Sequence, residues 1–252
     1  MILGDSFTFG DGVSDTETYS YYLQEMLPTA EIINMGVHGY AHDQMLIYLM
    51  EEGIKYEPNI VILGFLSRDM PRNLLTFRDF AKPKFVLEHE GLKLVNSPVL
   101  SPEEVLKGDF LKWDWARPRS LDVCLNIKSR IEKAIGLYRK DTEDITAAIL
   151  DKIISVSAEI PAVPIFVFLP DGREMLLPAD LTPAEEFLFA SCRDSGNVEC
   201  FSTRPFFAGK ISKGTTFKTT GHWGPMGHLA AAQAIKRYLV DKGHVVLPPA
   251  RE

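Results

Sequence analysis

Ile2-Leu3-Gly4-Asp5-Ser6-Phe7-Thr8-Phe9-Gly10 opens the chain, a short apolar run that delivers Gly-Asp-Ser. The run predicts a strand, with Ser6 where the strand ends and a loop begins. A strand fixes the backbone at that point while the hydroxyl faces the crevice above the sheet, which suits a nucleophile. Gly-Asp is also ordinary turn chemistry, and a serine there serves equally as a cap or turn residue. The triplet gains weight from its strand context and from His222, which stands in Gly221-His222-Trp223 just before a late helical segment.

Outward from this stretch, the first 66 residues read as strand, helix, strand, helix, strand. Helical spacing covers Thr18 to Leu27 and stops at Pro28. Glu31 to Met35 is a short apolar strand, and Asp43 to Ile54 a second helix. Asn59 to Leu66 contains the continuous run Ile60-Val61-Ile62-Leu63, which suits a strand buried on both faces of a parallel sheet. Alternation of this kind predicts an α/β sheet with right-handed crossovers. It stops between about residues 67 and 119. There Phe85 to Val95 reads as a β-hairpin turning at Glu90-Gly91, followed by an acidic-capped helix at Ser101-Pro102-Glu103-Glu104. This insertion is either a lid or substrate wall over the sheet, or surface decoration. Helical patterns return over Leu121 to Tyr138 and Asp144 to Ile160. A buried strand over Val163 to Leu169 follows, then a helix over Pro183 to Ser191. The pattern ends with a weak strand at Val198 to Phe201 and a helix over Pro225 to Asp241. Residues 1–252 thus read as one domain with an insertion.

A chain of 252 residues with net charge −7 lacks the basic footprint of a nucleic-acid binder. It has no apolar stretch of about 18 residues, so no membrane span is expected. The chain as given starts directly on the first strand with no export signal. This points to the cytoplasm, or to an extracytoplasmic site if a leader has been removed. The three cysteines, Cys124, Cys192 and Cys200, make no disulfide framework. Cys192 and Cys200 could pair in an exported protein; free buried thiols are expected.

A serine hydroxyl needs a base to take its proton. His222, on a loop that returns to the carboxyl edge of the sheet, is the candidate, with Gly221 and Gly224 letting the backbone bend around it. His228, inside the following helix, reads as a residue that packs or faces solvent. Gly36, after the second strand, offers an unobstructed N–H for a developing oxyanion. Arg68, after the third strand, reads either as an oxyanion donor or as half of an ion pair with a neighbour such as Asp69. His38 and His42 lack a third ligand, so no metal site is expected. No phosphate-binding loop or other cofactor motif is present.

Together these pieces resemble the SGNH/GDSL hydrolase family. Gly4-Asp5-Ser6 matches its first block, Asn34-Met35-Gly36 its second, Gly64 to Asp69 its third and Gly221-His222-Trp223 its last. Phe77 to Val95 also looks like a bacterial branch carrying a hairpin insertion. The resemblance implies a flavodoxin-like three-layer α/β/α sandwich. It implies Ser6 as nucleophile and His222 as general base then acid, with the N–H groups of Ser6 and Gly36 as oxyanion donors. It further implies hydrolysis of a carboxylic ester through an acyl-serine, with no cofactor.

Two positions depart from the pattern. The third block's asparagine is replaced by Arg68, the nearest asparagine being Asn73. The aspartate expected shortly before the histidine is replaced by Thr219 and Thr220; either a backbone carbonyl orients the imidazole, giving a Ser6–His222 dyad, or Asp171 is a remote candidate acid. Loss of one oxyanion donor costs roughly 10²–10³ in rate, and loss of the acid about 10⁴. Three readings follow. The first is an esterase acting on a small acyl group, acetyl on a carbohydrate or similar small-molecule acceptor. The second is a non-catalytic binding relative, and the third an O-acyltransferase.

Overall fold

In a computed structural model that describes residues 1–89, 91–107, 127 and 137–247, the apolar runs become the strands of one sheet. The elements run β1 (Ile2–Gly4), α1 (Ser6–Phe9), α2 (Tyr19–Met26), β2 (Asn34–Gly36), α3 (His42–Glu51) and β3 (Ile60–Phe65). An inserted hairpin of β4 (Lys84–Glu88) and β5 (Gly91–Val95) precedes α4 (Pro102–Lys107). The chain then continues through α5 (Leu137–Glu159), β6 (Val163–Phe168), α6 (Pro183–Ser195), β7 (Glu199–Ser202), α7 (Arg204–Ile211) and α8 (Pro225–Asp241). The five-stranded sheet has the order β2-β1-β3-β6-β7 and every pair is parallel. This is the flavodoxin-like order, and its direction reverses beside β1, so a crevice opens at the carboxyl end of β1.

Each central strand feeds two cores, which is why its sequence is apolar without alternation. Val61, Leu63, Phe166 and Phe168 pack with Met45, Leu49, Ile149 and Ile153 of α3 and α5. Ile62, Ile165 and Val167 pack with Leu23, Ala231 and Ile235 of α2 and α8. The result is the expected three-layer α/β/α sandwich.

The differences from the sequence reading have local causes. The second strand is shorter than Glu31 to Met35 because the Gln24 side chain holds the preceding loop, accepting from Ile32 N–H (2.9 Å) and donating to Ala30 O (2.8 Å). The helix expected from Asp144 begins at Leu137; most of the helix expected over 121–138 lies outside the described residues. Helix α7 carries no amphipathic signal, but its Arg204 is buried on Glu185 and its Phe207 in the core. Cys192 and Cys200 are joined as a disulfide, contrary to the free-thiol expectation. Gly196, left-handed at φ +69°, ends α6 and turns the chain into β7, which brings the two Cα atoms to 6.4 Å. Cys124 lies outside the described residues.

The hairpin forms where expected, with Glu88 paired to Gly91; Glu90 is outside the described residues. It docks on the α3–α5 flank through buried Phe85. Nearby, the buried Lys82 ammonium pairs with Asp43 of α3 and donates to the carbonyls of Arg72 (3.3 Å) and Leu75 (3.2 Å). A hollow of about 120 Å³ separates the insertion (Arg78, Phe80, Lys82) from the loop after β2 (His38, Gly39, Tyr40).

The turn that carries Ser6 sits directly on the sheet. Gly4 and Gly36 are paired at the tips of β1 and β2. A Cβ at Gly4 would stand 1.9 Å from Thr8 Oγ1, and one at Gly36 2.2 Å from Phe9 N and 2.5 Å from Thr8 C. Asn34 Nδ2 donates to Thr8 O (3.0 Å), and the Thr8 hydroxyl bonds Tyr19 OH (2.8 Å). Because the atoms facing Gly36 are backbone, Gly36→Ala forces α1 off the sheet at about 1–3 kcal/mol. The thermal midpoint is expected to fall by about 2–4 °C for each kcal/mol in a chain of this size. Gly209→Ala, where nothing lies within 4 Å, is expected to cause no such fall. Thermal melts of the two variants check this, and equal midpoints would remove the close-contact argument.

Candidate active site

Ser6 is the first residue of α1. Its N–H has no intrahelical carbonyl to reach and faces out from the helix start. Asp5 is the N-cap, its Oδ1 accepting from Phe7 N–H at 2.9 Å. The Ser6 hydroxyl lies 2.7 Å from His222 Nε2 and 3.3 Å from Asp5 Oδ2, across 216 residues of chain in the first case. A hydroxyl has one proton to give, and the shorter contact is to the imidazole.

Two aromatic anchors set that distance. Trp223 is buried and donates Nε1–H to Pro170 O at 3.0 Å. Its ring meets Phe7 edge-on, with centroids 5.0 Å apart. The chain neighbours of Ser6 and His222 thus pack on each other, and Phe7 also touches the His222 ring at 5.1 Å. Of the two glycines expected to bend the loop, Gly221 does so at φ +70°, whereas Gly224 is extended and simply caps α8. Of the two readings of His228, the structure shows packing, its buried Nδ1 accepting Tyr19 N–H at 3.2 Å and so joining α8 to α2.

The remaining predicted residues divide. Gly36 reaches the site, but its N–H donates to Asn34 Oδ1 at 2.9 Å, so an oxyanion would compete with Asn34 for it. The Arg68 guanidinium lies over the Phe7 ring, 5.1 Å from its centroid, and donates to Asp171 Oδ2 at 2.9 Å. Asp171 is therefore the partner of Arg68. Asn73 is buried away from Ser6, bonded to Asp43 N–H (3.2 Å), His42 Nδ1 (3.3 Å) and Thr146 Oγ1 (2.9 Å). It braces α3 against α5 and does not replace the missing third-block asparagine. His38 and His42 are not brought together: His42 is buried against Phe65 in α3, and exposed His38 hydrogen-bonds Asp11. Among the described residues, no hydrogen-bond partner reaches His222 Nδ1. The Thr219 carbonyl instead packs against Gly172, where a Cβ would lie 2.2 Å away.

Sequence reasoning missed two features. Asp11 places Oδ2 3.7 Å from His222 Nε2. Its only signal is the Gly10-Asp11-Gly12 turn after α1. Beneath Ser6, Asp5 and Asp69 are fully buried and share Arg72, which is 13% exposed and bonds Asp69 Oδ1 with Asp5 Oδ2 at 3.5 Å. Asp69 Oδ2 has no partner among the described residues.

Electrostatics follow from burial. His222 is held below the ordinary imidazole value by desolvation, opposed by Asp11 and Asp5, so the ring is neutral and able to accept a proton. Asp5 is raised by burial against its hydrogen bond from Phe7 and the charge of Arg72. Asp69 is pushed well above 3.8, first by burial and then by Asp5, against Arg72. Between 3.8 and that raised value, the native carboxyl binds a proton that the unfolded chain releases. Stability therefore falls as pH rises from 3.8 through the raised value. Asp69→Asn removes that dependence. Its urea midpoint relative to the parent protein is expected to be higher at pH 8 than at pH 5. A difference that does not change with pH would show that Asp69 is not the proton carrier.

No protein-family model matches the sequence, and no curated protein matches it. Solved structures match it in shape. One is a member of the lipolytic protein G-D-S-L family from Veillonella parvula, 12% identical, with TM-score 0.53 over 95% of this chain and 96% of that one. Another is TesA, 11% identical, with TM-score 0.51 over 94% and 96%. A third is an alpha/beta hydrolase enzyme from the metagenome of Lake Arreo, Spain, 13% identical, with TM-score 0.51 over 98% and 95%. At such identities the likeness is one of fold. The chain has the SGNH/GDSL hydrolase fold implied by the four sequence blocks.

Proposed function

We propose that the protein is a serine esterase that cleaves a small acyl group, acetyl in the first instance, from a carbohydrate or similar polar alcohol. The observation that carries this reading is the 2.7 Å contact between Ser6 Oγ and a neutral imidazole at the crevice beside β1. A binding protein with no chemistry to perform has no use for that contact, which favours the esterase over the binding-only reading. The groups around the pair are polar or charged (Asp11, His38, Arg68), which favours a sugar-like alcohol over a long alkyl chain.

The steps balance without a cofactor. Ser6 Oγ attacks the ester carbonyl carbon as its proton passes to His222 Nε2, and the carbonyl oxygen takes up the negative charge. The Ser6 N–H at the start of α1 donates to that oxygen, with Gly36 N–H and the Arg68 guanidinium as further donors. Collapse breaks the bond to the alcohol, which leaves with the Nε2 proton. Water then attacks the acyl-serine, giving one proton to Nε2 and releasing the carboxylic acid as that proton returns to Ser6.

Ser6→Ala is expected to lower turnover of acetyl esters by roughly 10⁴-fold or more with the melting curve unchanged. A fluorophosphonate probe is expected to label Ser6 in the parent protein. Undiminished turnover in the variant, or absence of labelling, would overturn the reading. Because the working form of His222 is neutral and its pKa is lowered from 6.5, the acid limb of kcat/KM is expected below pH 6.5. A limb above that value would rule out this imidazole as the base.

A further inference from the structure

Among the described residues, no acid stands on the far nitrogen of the His222 imidazole, where a Ser–His pair ordinarily has one. Thr219 and Thr220 hold no carboxylate, and Asp171 belongs to Arg68. The geometry points to a substitute on the near side: we propose that Asp11 supplies the negative charge for the His222 imidazolium from the Nε2 edge, with His38 tethering the carboxylate. This inference rests on the esterase reading and adds a positioning residue to it.

The backbone builds the arrangement. Gly10 is left-handed at φ +102°, a conformation that L side chains rarely adopt. It folds the end of α1 back so that the N–H groups of both Gly10 and Asp11 donate to Ser6 O, each at 3.0 Å. Asp11 is thereby pinned to the carbonyl of the nucleophile itself. Among the described residues, its carboxylate is tethered from the opposite loop by the hydrogen bond donated by His38 Nδ1–H. The same oxygen, Oδ2, stands 3.7 Å from His222 Nε2, the atom that takes the proton of Ser6. The nitrogen is thus flanked by the hydroxyl at 2.7 Å and the carboxylate at 3.7 Å.

A carboxylate there does little for the neutral ring, whose Nε2 lone pair points toward the hydroxyl. Once Nε2 carries the proton, the attraction switches on, so the charge is used where positive charge develops. The other charged or titratable groups facing the ring are Asp5 from the cap of α1, Arg68 from the loop after β3, His38 from the loop after β2 and His228 within α8, whose pKa burial lowers to about 4 so that it stays neutral. Arg68 and His38 oppose the imidazolium. Asp5 favours it but is already engaged by Phe7 N–H and Arg72. Asp11 is the nearest carboxylate among the described residues.

The test has a readout independent of turnover. The His222 ring is followed by NMR through a pH titration in the parent protein, in Asp11→Asn and in Asp11→Glu, with Asp11→Ser repeating the measurement should the amide variant not fold. Loss of the carboxylate is expected to move the His222 midpoint to lower pH, and glutamate to restore part of the shift. In parallel, kcat/KM for an acetyl ester is expected to fall by about ten- to hundredfold in Asp11→Asn, its acid limb moving the same way. His38→Ala, which frees the carboxylate without removing it, is expected to give a smaller fall. An unmoved His222 midpoint in Asp11→Asn overturns the inference, whether or not the protein turns over esters. Failure of fluorophosphonate to label Ser6 in the parent protein overturns the esterase reading instead, so the two failures are told apart.

Discussion

The contact on which the site depends is that of α1 with two bare glycines. β1 and β2 end side by side in Gly4 and Gly36, and the absence of both Cβ atoms lets Thr8 and Phe9 rest directly on the strand tips. A four-residue helix has no stability of its own. It is held by what it touches: the Asp5 cap, the Asn34 amide on Thr8 O and the Tyr19 hydroxyl on Thr8 Oγ1. Ser6 inherits its position from those contacts, and Asp11 inherits its position from Ser6 O. Had the helix stood one side chain higher, the 2.7 Å reach to His222 would have been lost, since hydrogen bonds weaken steeply with distance and angle.

The opposite wall is fixed by different means. His222 is on a loop, and loops position poorly unless anchored. Here the anchor is Trp223, buried between Phe7 and Phe207 and bonded to Pro170 O. Two residues 216 apart are registered because the residue after each, Phe7 and Trp223, belongs to the same core. Both walls therefore form only when the α2–α8 layer has closed on the sheet, and His228, which ties Tyr19 N–H to α8, couples that closure to the placement of His222.

This explains which parts were legible in the sequence. Ile60-Val61-Ile62-Leu63 and Val163 to Leu169 announced buried parallel strands because both of their faces are core, and a period-free apolar run has few other uses. The serine and histidine were legible because Gly-Asp-Ser and Gly-His-Trp keep the local chemistry of a strand end and an anchored loop. α1 and α7 were not, since one is too short for a period and the other is held by the buried Arg204–Glu185 pair, with no apolar stripe to reveal it. The Cys192–Cys200 link depended on the left-handed turn at Gly196, which no cysteine spacing reveals. Asn73 is the asparagine nearest to the third block along the chain. Only the fold shows it spent on Asp43, His42 and Thr146.

The side of the ring on which a carboxylate stands decides what it can do. An acid bonded to Nδ1 both selects the tautomer and steadies the cation, and its removal loses about 10⁴ in rate because the wrong nitrogen then carries the proton. A carboxylate beside Nε2 touches only the second role. The tautomer here must be set by the hydroxyl itself, which offers its proton to Nε2 and so leaves Nδ1 protonated. Asp11 is also partly open to water at 21% exposure, where screening trims its Coulombic effect. A site arranged this way depends on the acid less than a full triad does, and more on the closeness of the serine. That is consistent with a fold that devotes two glycines, a cap and two aromatic anchors to bringing Ser6 and His222 together, and a single turn to bringing the acid.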